Sequence, residues 1–279
     1  MTDSRTYVVS GAASGIGAAT TTLLRNQGHE VITVDLHPEG PAGPIDVAAD
    51  LGTPAGRAAA VAAVAERAPV VHGIVPAAGV AGLTGVPSDL LVRVNYFGAL
   101  ALVRGLRPQL AAAAERDGDA AVVLLASNSI TGMPGWTAEV AAACLREDEA
   151  AAIAVGDSVE SVMVYPGTKA ALAWWARRDG IGPDWAGTGI RVNSVAPGKI
   201  ATPMTERLAA DPVFGPLSKD YPSALGRDGR PEEIAAPIAF LLSPAASLIV
   251  GACLFIDGGT DAILHPLSPE GWEVGPITV

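Results

Sequence analysis

Arg5–Leu24 reads RTYVVSGAASGIGAATTTLL, and the fold turns on it. Tyr7, Val8 and Val9 form a short aromatic and β-branched run of strand character. Ser10–Gly17 is a turn with glycines at 11, 15 and 17, and Ala18–Leu24 continues as a helix. A strand feeding a glycine turn feeding a helix aims a helix N-terminus at whatever lies above the sheet. Unpaired backbone N–H groups and the positive end of the dipole make that spot an anion site, suited to a pyrophosphate. Glycine is needed because the backbone must come close to phosphate and a side chain would hold it off. An ordinary strand–helix connection carries the same pattern, so the reading depends on residues further along the chain.

Glu30–Asp35 (EVITVD) is a second strand, nearly all apolar, as a strand covered on both faces should be. It ends in Asp35, about twenty residues beyond the glycine turn. A carboxylate there accepts both adenosine ribose hydroxyls and repels a 2′-phosphate. His37–Pro44 is too short and proline-rich for a full crossover helix, so this crossover is abbreviated. Val47–Leu51 (VAADL) reads as a third strand, with Asp50 able to bond an adenine amine, and Thr53 caps an alanine-rich helix to Arg67. Val70–Pro76 is a fourth strand, followed by Ala77-Ala78-Gly79, small residues that let a ligand lie flat against backbone. Pro87–Arg116 is a long helical region in which Asn95, among Val94, Tyr96 and Phe97, needs buried partners. Ala120–Ala126 is a fifth strand and delivers Ser127, Asn128 and Ser129 to the C-terminal sheet edge, where open α/β sheets bind ligands.

Beyond it the simple alternation lapses. Gly132–Val164 is alanine-rich with an acidic middle and reads as an insertion of one or two exposed helices. Tyr165–Arg178 reads as a helix with Pro166 in its first turn, where no intrahelical N–H is lost. Ile190–Val195 is a sixth strand ending in Pro197-Gly198, and Ile200–Ser223 reads as a flap over a pocket. A tail with Trp272 comes after Asp257-Gly258-Gly259.

With 279 residues, no internal repeat and no linker, the chain is expected to be one domain over 1–279, with the insertion near 132–164, the flap near 200–223 and the tail at 264–279. A net charge of −11 argues against nucleic acid as partner, because phosphate backbones need a basic face. Cys144 and Cys253 lie far apart, and neither they nor the four histidines show ligand spacing, so no metal is expected. No basic-then-apolar leader precedes the first strand, so a cytoplasmic protein is expected. Ile234–Ile256 is uncharged and long enough to span a bilayer, yet Pro237, Ser243-Pro244 and Gly251 break it. It reads instead as a buried helix (Glu232–Leu242), a turn and a buried strand (Ala252–Ile256), with no membrane partner.

Tyr165 and Lys169 sit four apart and share one helix face. A free phenol titrates near pH 10 and is a poor acid or base at neutrality, and an ammonium beside it stabilises the phenolate. Lys169 is one of only three lysines, with Lys199 and Lys219, which makes an incidental surface lysine less probable. A hydroxyl from Ser127 would complete the set by donating to a substrate carbonyl oxygen while Tyr165 gives the proton; Ser129 could do so if the strand ends later.

Ser10–Gly17, Asn95, Ser127, Tyr165/Lys169, Pro197-Gly198 and Asp257-Gly258-Gly259, in this order, resemble a short-chain dehydrogenase/reductase over the whole length. VNYFGA at 94–99, FLLSPAAS at 240–247 and IDGGTDAI at 256–263 are similar to the bacterial 3α-hydroxysteroid dehydrogenase/carbonyl reductase subgroup, as is the insertion between Ser127 and Tyr165, here 38 positions apart. The resemblance implies an α/β fold, a Rossmann-type doubly wound parallel sheet of about seven strands in a single domain. It implies NAD as cofactor and interconversion of a secondary alcohol with a ketone. The catalytic set would be Asn95, Ser127, Tyr165 and Lys169, with Asn95 holding a water that relays protons to Lys169 and Lys169 gripping the nicotinamide ribose. The residues expected against the cofactor are Gly11, Ser14, Gly15, Ile16, Gly17, Asp35, Asp50, Leu51, Ala78, Gly79, Pro197, Gly198, Ile200 and Thr202. Three positions depart from the family: Pro76-Ala77-Ala78-Gly79 stands for its Asn-Asn-Ala-Gly, Ser10 replaces Thr, and Pro166 biases Tyr165 away from helical backbone.

The expected activity is NAD(H)-dependent oxidoreduction of a hydrophobic, cyclic, steroid- or terpenoid-like alcohol or ketone. The alternatives are the same reaction on aryl or small ketones, or a non-catalytic NAD-binding regulator, which would have no need of Ser127, Tyr165 and Lys169. Insertion and flap are expected to wall the pocket through Met133, Trp136, Met163, Met204 and Leu208, unless the insertion serves subunit contacts. A homodimer or homotetramer is expected, through the helices around Asn95 and 165–178 or, if the insertion blocks them, through the C-terminal helix and strand. With no Arg or Lys at positions 14 or 36–38, NADP should bind at least ~100-fold more weakly than NAD.

Overall fold

The strands are β1 (Thr6–Ser10), β2 (Glu30–Asp35), β3 (Val47–Ala48), β4 (Gly73–Pro76), β5 (Ala120–Leu125), β6 (Ile190–Pro197) and β7 (Cys253–Ile256). They form one seven-stranded parallel sheet in the order β3-β2-β1-β4-β5-β6-β7. A computed structural model describes residues 4–218 and 221–266; of the tail, residues 267–279, Trp272 among them, lie outside the described residues. From β1 the chain adds strands outward on one side, then returns to add β4 on the other. That reversal opens a crevice above the C-terminal ends of β1 and β4, where Gly11–Gly17 and Ala77–Gly79 emerge.

The helices that matter are α1 (Gly15–Asn26), α2 (Pro54–Arg67), α3 (Ala99–Gly105), α4 (Arg107–Asp117), α5 (Ala138–Leu145), α6 (Glu149–Gly156), α7 (Ser161–Arg178), α8 (Pro203–Ala210) and α9 (Pro231–Leu242). Strand residues alternate between the sheet's faces. Val8, Val122 and Leu124 join one apolar cluster with α2, α3, α4 and α7. Tyr7, Val9, Val123 and Leu125 join another with α1 and α9. Two covered faces explain why the strands read as unbroken apolar runs.

Several expected boundaries move, each for a local reason. β3 is two residues, not Val47–Leu51, because Asp50 turns the chain: its Oδ1 accepts from Gly52 N at 2.8 Å and its carbonyl from Thr53 N. β4 starts at Gly73, not Val70; Val71 N is instead bonded to the Gln109 carbonyl. A two-residue hairpin, Glu39–Gly40 against Gly43–Pro44, stands where a crossover helix would be. Ile234–Ile256 does divide into helix, turn and strand, and among the described residues no helix is long and apolar enough to cross a membrane.

The insertion is the main correction. Its helices are not exposed: Val140, Ala141, Ala143, Cys144 and Ala152 are buried in the cluster of α7. Arg57, itself buried, reaches out of α2 to Glu149 with two bonds of 2.7 and 2.8 Å and ties α6 down. Small residues allow this: a Cβ on Gly167 of α7 would stand 2.8 Å from Val140. Alanine-rich helices are short enough in side chain to pack closely, which charge pattern alone did not reveal.

Candidate active site

The glycine turn is built as its residues require. Gly11 takes φ +67°, and a Cβ there would lie 2.6 Å from Ala78 N. A Cβ on Gly17 would lie 2.2 Å from the Gly11 carbonyl oxygen. The Ser10 hydroxyl accepts from Ala78 N at 3.2 Å, so the β1 and β4 turns are stitched together. Above them lies a cleft lined by Gly11, Ser14, Gly15, Ile16 and Gly17, by Asp35, Asp50 and Leu51, and by Ala78, Gly79 and Thr202. Asp35 holds Ala13 N at 2.9 Å and His37 N at 3.0 Å, which fixes its carboxylate at the rim.

Thr202 caps α8 and lies over Gly15, where a Cβ would meet its methyl at 3.2 Å. Three other expected residues sit elsewhere. Pro197 closes β6 with its carbonyl on Asn128 N at 3.0 Å. Ile200 is buried in the α9 cluster. Gly198 lines the neighbouring pocket, and its hydrogen faces Asp257, whose Cα would be 2.7 Å from a Cβ. None of the three lines the cleft; the chain reaches it again only at Thr202.

A second space, more apolar, opens beside the cleft and is floored by Ser127 and Tyr165. Ser127 and Tyr165 border the same pocket, and the Ser127 hydroxyl accepts from Ser129 N at 3.2 Å. Ser127 is thus the serine placed beside the tyrosine, and the Ser129 backbone holds its hydroxyl. α7 begins at Ser161, four residues before its expected start, so Pro166 is interior and Tyr165 is already helical. Proline there cannot bond the Val162 carbonyl, and Val162 borders the pocket. Because the helix is in place before Tyr165, the shared face survives: Lys169 Nζ stands 5.7 Å from the ring centroid.

The electrostatics differ from the simple phenol–ammonium picture. Lys169 is buried, donates to the Leu125 carbonyl at 2.9 Å, and is lowered by that burial to about 8. Burial pushes the Tyr165 phenol up, with the Ser127 hydrogen bond pulling more weakly the other way. Asn95 sits in a π-helical turn, Val92–Gly98, fully buried. Its Oδ1 accepts from Val80 N at 2.8 Å and its Nδ2 donates to Val80 O at 3.0 Å, clamping the loop after Gly79. A side chain at Gly79 would be a tight fit: a Cβ would lie 3.2 Å from Asn95 Oδ1 and 3.6 Å from Lys169 Nζ.

Of the expected pocket residues, Met133, Met204 and Leu208 line the pocket. Trp136 instead donates Nε1–H to the Ile130 carbonyl and leans on Trp174, and Met163 faces Gly135. Two residues escaped sequence reasoning. Tyr221 borders the pocket with its hydroxyl on Asn128 Oδ1 at 2.7 Å. Arg207, on α8, borders the glycine-lined cleft near Ser14 and His37 and is the only cation on its wall among the described residues. The reading of positions 14 and 36–38 does not reach it. Neither has a sequence signal, since both arrive by chain reversal from the flap.

Known proteins agree with this architecture. The family model for short chain dehydrogenase matches residues 5–143, and one described as enoyl-(acyl carrier protein) reductase matches 148–261. The chain belongs to the short-chain dehydrogenase/reductase family, oxidoreductases acting on CH–OH groups. It is 35% identical to 3-alpha-hydroxysteroid dehydrogenase/carbonyl reductase of Comamonas testosteroni over 93% of this chain and 97% of that one. It is equally 35% identical, over 93% and 97%, to cis-4-hydroxycyclohexanecarboxylate dehydrogenase of Sinomonas cyclohexanicum. Among solved structures, the 3-alpha-hydroxysteroid dehydrogenase of Pseudomonas sp. B-0831 complexed with NADH is 41% identical, with a TM-score of 0.85 over 94% of this chain and 99% of that chain.

Proposed function

We propose that this protein interconverts a secondary alcohol and a ketone on a hydrophobic, cyclic substrate, with NAD(H) as the redox partner. The observation that carries the reading is the juxtaposition of Ser127 and Tyr165, with Lys169 Nζ 5.7 Å from the tyrosine ring, at the floor of an apolar pocket that adjoins the glycine-lined cleft. The cleft fits a dinucleotide: Gly11 and Gly17 leave backbone where a Cβ cannot stand, α1 presents its N-terminus, and Asp35 marks the ribose end. When bound, the nicotinamide supplies or takes the hydride at the carbinol carbon. In reduction, Ser127 donates to the carbonyl oxygen and Tyr165 passes its proton to that oxygen as the alcohol forms. The Lys169 ammonium, protonated below about 8, holds the tyrosinate that remains and lies beside Gly79, within reach of a ribose. Asn95 keeps the Gly79–Val80 backbone in place through its two amide bonds.

An oligomer belongs to the same proposal. α5 and α6 cover the helices around Asn95 and 165–178, which leaves α9 and β7 as the contact, where Phe240 is 44% and Leu254 41% exposed. A monomer in light scattering at micromolar concentration would refute that assembly. The activity is tested by a panel of cyclic, aryl and open-chain ketones with NADH, followed by loss of NADH absorbance. Turnover of cyclic ketones is expected; NADH binding without turnover of any ketone would leave a regulator as the better reading.

A further inference from the structure

The pocket over Ser127 and Tyr165 does not run on freely. A second cavity of about 330 Å³ lies behind it, bordered by Leu225, Ile234 and Ile256. Among the described residues the two spaces share only Lys199 and Tyr221 on their walls. Both are held in place. The Tyr221 hydroxyl donates to Asn128 Oδ1 at 2.7 Å, while Asn128 Nδ2 donates to Asp257 Oδ2 at 3.4 Å. Burial pushes the Tyr221 phenol up to about 12, so it stays a neutral donor on that bond. Lys199 pairs with Asp228 at 3.2 Å, and its carbonyl accepts from Gly229 N at 2.9 Å. The partition is therefore tied to the sheet's edge and is no side chain swinging in solvent. In front of it the pocket offers about 220 Å³, below the ~300–1,000 Å³ of clefts that take drug-sized ligands.

We propose that Tyr221 is the wall that sets substrate length, so that the enzyme accepts one- or two-ring alicyclic ketones and rejects fused four-ring ones. This rests on the functional reading above and narrows it. A ring seated on Ser127 and Tyr165 faces the partition, and a four-ring skeleton extended toward the second cavity has to pass through the place the Tyr221 ring occupies. Tyr221 is a specificity residue with no part in the proton transfer, since its hydroxyl is committed to Asn128.

The test is kcat/KM with NADH for cyclohexanone, decalone and a 3-ketosteroid, in the full chain and in Tyr221→Phe, Tyr221→Leu and Tyr221→Ala, with NADH binding and thermal melting alongside. The wild type should prefer the smaller rings over the steroid by about 100-fold, the scale on which pockets discriminate by bulk. Tyr221→Ala and Tyr221→Leu should shrink that ratio at least ~10-fold, whereas Tyr221→Phe, which keeps the ring, should leave it within about threefold. Wild-type turnover of the steroid as efficient as that of cyclohexanone overturns the inference alone, whether or not the variants fold. So does a folded, NADH-binding Tyr221→Ala or Tyr221→Leu with the wild-type ratio. A wild type that binds NADH and reduces none of the three overturns the functional reading and the inference together.

Discussion

The two halves of the site are made of different material. The cleft over β1, β2 and β4 is made of backbone: glycines that leave room, a helix N-terminus, and a carboxylate fixed by two main-chain N–H groups. The pocket over β5, β6 and α7 is made of side chains brought from 127–133, 162–165 and 198–221, segments far apart in the chain. Backbone requirements leave short, local marks in a sequence. Side-chain walls leave none until the chain has folded. The first half is thus specified by spacing and the second by tertiary packing, and substitutions should act on them separately.

The largest separation is expected at Tyr165. Tyr165→Phe removes the transferable proton and keeps the ring against Lys169, so turnover should fall by ~100- to 10,000-fold. NADH binding, measured by fluorescence titration, should stay unaltered. A loss of binding equal to the loss of turnover would show that the two halves are one unit.

A smaller effect should mark the cofactor half. On the proposed reading Asp35 would repel a 2′-phosphate, and Arg207, a cation on the wall of the same cleft, would offset part of that repulsion. The preference for NAD over NADP should therefore fall short of the ~100-fold that the carboxylate alone would impose. Arg207→Leu should widen the gap by about tenfold and Asp35→Ala should narrow it, read as the ratio of the two Kd values. Equal Kd values for the two cofactors in the wild type would remove Asp35 as the discriminating group.

These cases show where the sequence was legible. Gly11, Gly17 and Asp35 were found because a close backbone approach tolerates one residue type, and a strand-end carboxylate has a fixed distance from the turn. The apolar runs marked the strands one by one, and the family resemblance implied their assembly into a parallel sheet of about seven, which the two covered faces bear out. Tyr165 and Lys169 were legible as a spacing, but their energetics were not. Only the folded chain shows that burial acts on both and that Ser127 carries the opposing hydrogen bond. Arg207, Tyr221 and the buried faces of α5 and α6 were illegible for one reason: each depends on which distant segment lies opposite.

Lys169 gives a moderate effect with a definite sign. Its folded pKa, about 8, is below the unfolded lysine value near 10.4. The folded chain therefore binds fewer protons than the unfolded chain between those two values, and stability should rise with pH across that window. Below it the buried charge costs stability, so Lys169→Met should raise Tm at pH 7 by on the order of a few °C while abolishing turnover. In the wild type, the positive charge is lost as pH rises through about 8, so kcat/KM for ketone reduction should decline there. A flat profile across that range, or a lower Tm for the variant, would mean that Lys169 serves the fold.

The smallest effects test the boundary between wall and support. Val140 on α5 is buried against Gly167 of α7, beneath the catalytic helix and outside the pocket. Val140→Ala deletes two buried carbons and should cost about 1.5–3 kcal/mol, from transfer and cavity terms together. Its ratio of kcat/KM between cyclohexanone and decalone should stay within about twofold of wild type, because Val140 does not border the pocket. Met133 borders the pocket, and Met133→Ala should do the converse, shifting that ratio about threefold with little change in Tm. Should Val140→Ala move the substrate ratio more than Met133→Ala, the insertion shapes the pocket from behind, and its burial is part of specificity.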